Sequence, residues 1–82
     1  MVWLDVRTDA EYAEDHIAGS AHIPHEEIAL LIADLGLDKD TEIRVYCRSG
    51  RRAGIALAAL EEMGYTNATN VGGIGDAREL ED

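Results

Sequence analysis

Ile43-Arg44-Val45-Tyr46-Cys47-Arg48-Ser49-Gly50-Arg51-Arg52-Ala53-Gly54-Ile55-Ala56-Leu57 is the stretch whose reading decides the fold. Its first five positions carry β-branched and aromatic residues bounded by turn signals, and predict a strand over Ile43–Cys47. Arg48 to Arg52 is a short glycine-containing turn. Beyond it Ile55, Leu57, Ala58, Leu60 and Met63 predict a helix that stops at Gly64. A strand that passes through so short a loop into a helix is the opening of a βαβ unit.

Towards the N-terminus, Val2 to Val6 is an apolar run long enough for one buried strand. Thr8-Asp9-Ala10-Glu11 fits a capping box and starts a short helix to about His16, with acidic residues in the first turn as the helix dipole prefers. Gly19 to Pro24 reads as a loop. Ile28, Leu31, Ile32 and Leu35 then recur at helical spacing, with Gly36 as the stop. Towards the C-terminus, Thr66 to Val71 predicts a last short strand. Gly72-Gly73 is expected to break it before a terminal helix around Asp76 to Leu80. Strands alternating with helices through short loops predict an α/β fold, a mostly parallel sheet flanked by helices, in a single domain over 1–82.

Composition narrows the function. The chain has 82 residues, 17 acidic against 7 basic, and a net charge of −10. One core is all that this length allows. With 46% hydrophobic residues and one proline it is globular, although the absence of phenylalanine keeps the core modest. A pI near 4.5 argues against a general nucleic-acid or anionic-membrane binder. No apolar run approaches the roughly 18 residues of a membrane span. The charge favours a soluble monomer. Met-Val-Trp-Leu-Asp has no basic, apolar leader pattern, so the chain as it stands is expected to be cytoplasmic, or periplasmic if a leader is removed from a precursor. A single cysteine excludes an internal disulfide and a Cys-rich zinc cluster. His16, His22 and His25 have spacings that fit no common zinc motif, so no metal and no cofactor are expected.

Cys47 carries the chemistry. Sites in open α/β sheets lie beyond the carboxyl ends of strands, and Cys47 is the last position of one. The loop and helix start that follow point backbone N–H groups and a positive dipole end inward, which stabilises a thiolate or an oxyanion. Cysteine in such a place has its pKa lowered and becomes nucleophilic at neutral pH. Arg44, Arg48, Arg51 and Arg52 put four of the seven basic residues into nine positions of an acidic chain, a local positive focus suited to a small anionic substrate. A lone cysteine closing a strand is often only a small buried hydrophobe. The glycine and arginines behind it decide for the functional reading, because an inert core thiol needs no electropositive cradle.

At these residues the chain resembles the rhodanese-like family of sulfurtransferases. Cys47-Arg48-Ser49-Gly50-Arg51-Arg52 is similar to the family's six-residue active-site loop, Cys-x-x-Gly-x-Arg. Leu4-Asp5-Val6-Arg7, Glu11-Tyr12 and His16-Ile17-Ala18-Gly19-Ser20-Ala21-His22-Ile23-Pro24 resemble its N-terminal signature. Met63-Gly64-Tyr65 and Val71-Gly72-Gly73 resemble its C-terminal pattern. Two features depart from it: the strand and helix that commonly precede the first motif are absent, and Ile74-Gly75-Asp76 stands where a tryptophan usually follows Gly-Gly.

The resemblance implies a small three-layer fold and a ping-pong transfer of sulfane sulfur. Cys47 thiolate takes the outer sulfur of thiosulfate or a similar donor, and a thiol or dithiol acceptor, such as a thioredoxin-like protein, or cyanide, removes it. Amides of Ser49, Gly50, Arg51 and Arg52 are implied to cradle the persulfide, while Arg48 and Arg52 hold the donor's oxygens. Asp5 and Arg7 read as a structural brace, since a buried pair needs hydrogen-bond partners. Two alternatives stand beside this. One is a sulfur-carrier or regulatory domain acting on a protein partner, with the same chemistry at Cys47. The other is phosphatase or arsenate-reductase chemistry, which resembles a Cys-x5-Arg loop one residue wider than the Cys-x4-Arg found here.

Overall fold

β3 (Ile43–Cys47) and α3 (Arg51–Glu62) form as the sequence predicts, and the remaining elements assemble around them. In the computed structural model, which describes residues 1–81, β1 (Val2–Asp5), β2 (Ala21–His22), β3 and β4 (Ala68–Gly73) make one parallel sheet in the order β2-β1-β3-β4. The helices are α1 (Asp9–Glu14), α2 (Ile28–Leu31), α3 and α4 (Ile74–Glu79). Among the described residues no helix is long and apolar enough to cross a membrane.

Period-two alternation sorts the side chains of β3 onto the two faces. Ile43, Val45 and Cys47 join Leu4, Val6, Ile28, Ile32, Ala53, Ala56 and Leu60 in the main core, so α2 and α3 cover that face. Tyr46 goes to the other face with Ile17 and Ala77, against Trp3, Val71 and Ile74, and α4 covers it. The sheet is thus the middle of three layers. Each fully buried aliphatic side chain in this arrangement contributes about 1.5–3 kcal/mol.

Three expectations change in detail. Ala21 and His22, read as loop, form β2 beside Leu4 and Asp5; two residues are too few to show an alternating pattern. The stretch from His25 to Leu35 is an α-helical turn between two 3-10 turns, ended by Gly36 at φ 64°. No side chain caps the start of any of these turns, and tight 3-10 bonds satisfy backbone groups where caps are absent. Gly72 and Gly73 lie inside β4 instead of breaking it, and α4 begins at Ile74, because Asp76 accepts the Gly73 N–H at 2.9 Å and so caps that helix. The capping box of α1 is present as predicted, with Glu11 N–H donating to Thr8 Oγ1 at 3.2 Å and Thr8 N–H to Glu11 Oε1 at 3.0 Å.

Two of the three histidines pack on one ring, and the third, His25, lies 2.9 Å from the Glu26 carboxylate. Tyr12 of α1 is stacked between His16, with ring centroids 3.7 Å apart, and His22, at 4.4 Å. Its hydroxyl donates to the Ser20 carbonyl at 3.0 Å, which holds α1 against the start of β2.

Asp5 and Arg7 are buried, at 0% and 6% exposure, and satisfy each other. Asp5 accepts from the Arg7 backbone N–H at 2.9 Å and from Nε and Nη2 of its guanidinium at 3.1 and 2.8 Å. Arg7 Nη2 also donates to the Asp15 carbonyl, tying β1 to the far end of α1. Truncation of Arg7 to alanine leaves a buried carboxylate without its counter-charge and is expected to cost about 3–5 kcal/mol. The double replacement Asp5→Leu/Arg7→Met is expected to cost less than Arg7→Ala alone, measured by urea denaturation. A single variant with near-parent stability would show that the pair does not brace the fold.

Candidate active site

Cys47 closes β3, and the alternation of that strand turns its side chain to the α3 face, where it is 1% exposed. A one-residue slip in register would send it to the opposite face. Ser49 and Gly50 then reverse the chain so that α3 starts directly over the sulfur. Gly50 makes this possible with φ 98°, a left-handed conformation that costs glycine little. Its N–H donates to Cys47 Sγ at 2.9 Å. Burial pushes the thiol pKa up, but backbone N–H groups of Ala53, Ser49, Gly50 and Arg52 converge on the sulfur and outweigh it, holding the pKa below the usual cysteine value. Ala53 stands where the sequence predicts the Arg51 amide: it belongs to the first turn of α3 and shows only once that helix is placed, and the Arg51 N–H is not among the groups that lower the thiol pKa.

β4 forms the floor of the loop. A Cβ on Gly73 would stand 2.2 Å from the Arg48 carbonyl oxygen, and one on Gly50 would stand 3.3 Å from Gly72 Cα. Gly73 therefore leaves the space in which the loop rests, while a Cβ on Gly72 would meet the Asp76 carboxylate at 2.5 Å.

The basic residues divide by their partners. Arg52, in the first turn of α3, makes a two-pronged ion pair with Glu11 of α1, at 2.6 and 3.0 Å. Arg7 pairs with Asp5, Arg44 with Glu42, and Arg78 with Asp15. Lys39 donates to the Met63 carbonyl at 3.1 Å and lies over the Tyr65 ring. Arg48, next to the thiol in the chain, and Arg51, the first residue of α3, are exposed and have no carboxylate within ion-pair distance among the described residues. Beside the loop opens a cleft of about 380 Å³, walled by Arg7, Glu11, Glu14, Asp15, Arg48 and Ile74.

Glu11 is the residue that sequence reading undervalued. It caps α1 and, 41 positions away, holds the arginine at the start of α3. Arg52, together with the hydrogen bonds from Thr8, lowers its pKa to about 2 from an ordinary 4.5. A depressed carboxylate stabilises the fold fully above its unfolded pKa and loses that contribution as pH falls through the folded value. The Glu11 share is therefore complete above about pH 4.5 and disappears progressively towards about pH 2. Glu11→Gln is expected to flatten this acid limb, read as a smaller loss of urea-measured stability between about pH 5 and pH 3 than in the parent. Equal losses in the two proteins would remove Glu11 from the account.

A parallel sheet thus carries a strand-end thiol under a glycine-started helix. The model of the rhodanese-like domain matches residues 1–76, and the chain belongs to that family. It is 42% identical over 74 residues to the thiosulfate sulfurtransferase PspE of Escherichia coli, covering 90% of this chain and 71% of that protein. A sulfurtransferase of Allochromatium vinosum is 34% identical over 70 residues, 85% of this chain and 64% of the relative. Among solved structures, a rhodanese with anions from E. coli superposes with a TM-score of 0.86 at 41% identity, covering 92% of this chain and 88% of that one. The protein is a sulfurtransferase of the rhodanese-like family.

Proposed function

We propose that this protein transfers sulfane sulfur from thiosulfate, or an anionic donor of the same chemistry, through a persulfide on Cys47 to a thiol acceptor. The observation that carries the reading is a buried strand-end thiol that accepts the Gly50 N–H at 2.9 Å beneath the start of α3, where the amides of Ala53, Ser49 and Arg52 also favour the thiolate. Such a cradle stabilises negative charge on whichever sulfur occupies it.

In the first half-reaction Cys47 thiolate attacks the outer sulfur of thiosulfate. The S–S bond of the donor breaks, its electron pair leaves with sulfite, and Cys47 carries the transferred sulfur as a persulfide. In the second, an acceptor thiolate attacks that outer sulfur and Cys47 departs as thiolate. The acceptor is external, a small thiol, a dithiol or a thioredoxin-like protein, since the chain has one cysteine. Arg48, which is exposed, lines the cleft and has no acidic partner among the described residues, is proposed to meet the donor's oxygens, with Arg51 near it in the sequence as a second cation. Ser49, Gly50 and Arg52 contribute through their amides, the Arg52 guanidinium being engaged by Glu11. The whole of this chemistry is assigned to one domain.

The test is intact mass under non-reducing conditions after incubation with thiosulfate and desalting. A gain of about one sulfur atom, discharged by cyanide, is the expected result. No adduct, with hydrolysis of an aryl phosphate instead, would transfer the site to phosphatase chemistry. No adduct and no hydrolysis would leave a carrier domain loaded by a protein.

A further inference from the structure

Asn70 in β4 makes the side-chain contact that joins the sheet to the apex of the sulfur loop. Its Nδ2 donates to the Gly50 carbonyl at 2.9 Å, and its Oδ1 accepts from the Gly72 N–H at 2.9 Å. One partner is only an acceptor and the other only a donor, so the orientation of the amide is determined. Gly50 is the hinge of the site. Its N–H lies on Cys47 Sγ, and its carbonyl accepts the first helical bond of α3, from Gly54 N–H at 3.0 Å. Asn70 thus grips, on the opposite side, the residue whose N–H holds the sulfur.

The sheet presents Asn70 to the loop by an irregularity. Asn70 is in register with Val45, but Gly72 is in register with Tyr46, so Val71 is an extra residue in the ladder at this point. A bulge re-aims a side chain beside it. Asn70 is exposed, so the amide is not there to satisfy a buried neighbour. Ideal Cβ positions on Gly50 and Gly54 would lie 3.8 and 3.5 Å from its amide atoms, so loop and helix start both rest against it.

We infer that Asn70 is a positioning residue for sulfur transfer: by bridging Gly50 and Gly72 it holds the loop apex and the first turn of α3 at the height where their N–H groups meet the sulfur of Cys47. Asn70 touches no reacting atom. Its influence passes through Gly50, which without a Cβ can shift its backbone once the bond from Asn70 is gone, although its carbonyl keeps the Gly54 N–H.

The inference rests on the proposed role of Cys47 for its rate measurement but not for its thiol measurement, which separates the two. Because Cys47 is the single cysteine, its thiolate is read directly from the pH dependence of alkylation by iodoacetamide, with no sulfur donor present. In Asn70→Ala the alkylation midpoint is expected to move to higher pH, and thiosulfate loading at neutral pH to fall roughly tenfold, on the scale by which misplaced donors slow a reaction. Asn70→Asp keeps the acceptor for Gly72 N–H but has no donor for the Gly50 carbonyl, and is expected to behave like the alanine variant. A parent-like midpoint and loading rate in either variant would overturn the inference. So would a lowered melting temperature with an unmoved midpoint, which would reduce Asn70 to a structural tie. Should the alanine variant fail to fold, the aspartate variant decides on the same readouts. A moved midpoint in a protein whose parent never loads sulfur would uphold the positioning role and refute the sulfur-transfer reading.

Discussion

Cys47→Ser is expected to abolish sulfur loading, by a factor on the order of a thousand or more, in a protein that remains folded. Serine is nearly isosteric, so the amides that converge on Sγ would find an oxygen in its place. That oxygen is held by a proton far too tightly to be removed near neutral pH, and no base within the described cradle replaces the lost acidity. The stability change is expected to stay within about 1 kcal/mol, because the hydroxyl inherits the Gly50 N–H as a partner. Loading by the parent, followed against pH, should level off below the range of an ordinary cysteine: burial raises the pKa, but the four amides lower it further. Turnover retained in Cys47→Ser, with mass gained elsewhere, would remove Cys47 from the nucleophile's role.

The second large effect is expected at a glycine that carries no chemistry. Gly73→Ala places a methyl group where the Arg48 carbonyl oxygen lies 2.2 Å and its carbon 2.9 Å away. These are backbone atoms, so no side-chain end can swing aside. Gly73 is also in register with Cys47 across the ladder, which leaves the strand little freedom to retreat. Either the loop rises or β4 separates. A cost of about 3 kcal/mol is expected from the overpacking. Loading is expected to fall by about two orders of magnitude, as for a reacting group displaced by roughly an ångström. Gly75→Ala is the control: it lies in α4 with nothing within 4 Å of its Cβ, and should be neutral or stabilising by up to about 1 kcal/mol. Gly73→Ala with parent-like melting and loading would show that the loop does not rest on this strand.

Three glycines show where local sequence signals suffice and where they do not. Gly50 was legible, since a glycine between a strand and a helical pattern marks a reversal, and the structure finds it at φ 98°. Gly72-Gly73 carried the same local signal of a break, yet both lie within β4. Gly73 is a glycine for the loop packed above it, a cause in three-dimensional proximity, whereas Gly72 takes a left-handed φ of 103° beside the Asp76 carboxylate. Glu11 behaves in the same way. Its capping role follows from a spacing of three, whereas its pairing with Arg52 spans 41 positions that no local pattern connects. Ala53 and Asn70 became visible only when α3 and the irregular register of β4 were in place.

From sequence alone came the α/β class, the β3–loop–α3 unit, the capping of α1 and the placement of the single thiol at a strand end followed by arginines. These depend on short-range rules: side-chain period, turn chemistry and capping, each read within a few residues. Tertiary structure decided which amides meet the sulfur, which arginines stay unpaired and what the loop rests on. Those depend on how far apart the sheet holds elements distant in the chain, and hydrogen bonds and contacts are decided by tenths of an ångström, which periodicity does not encode.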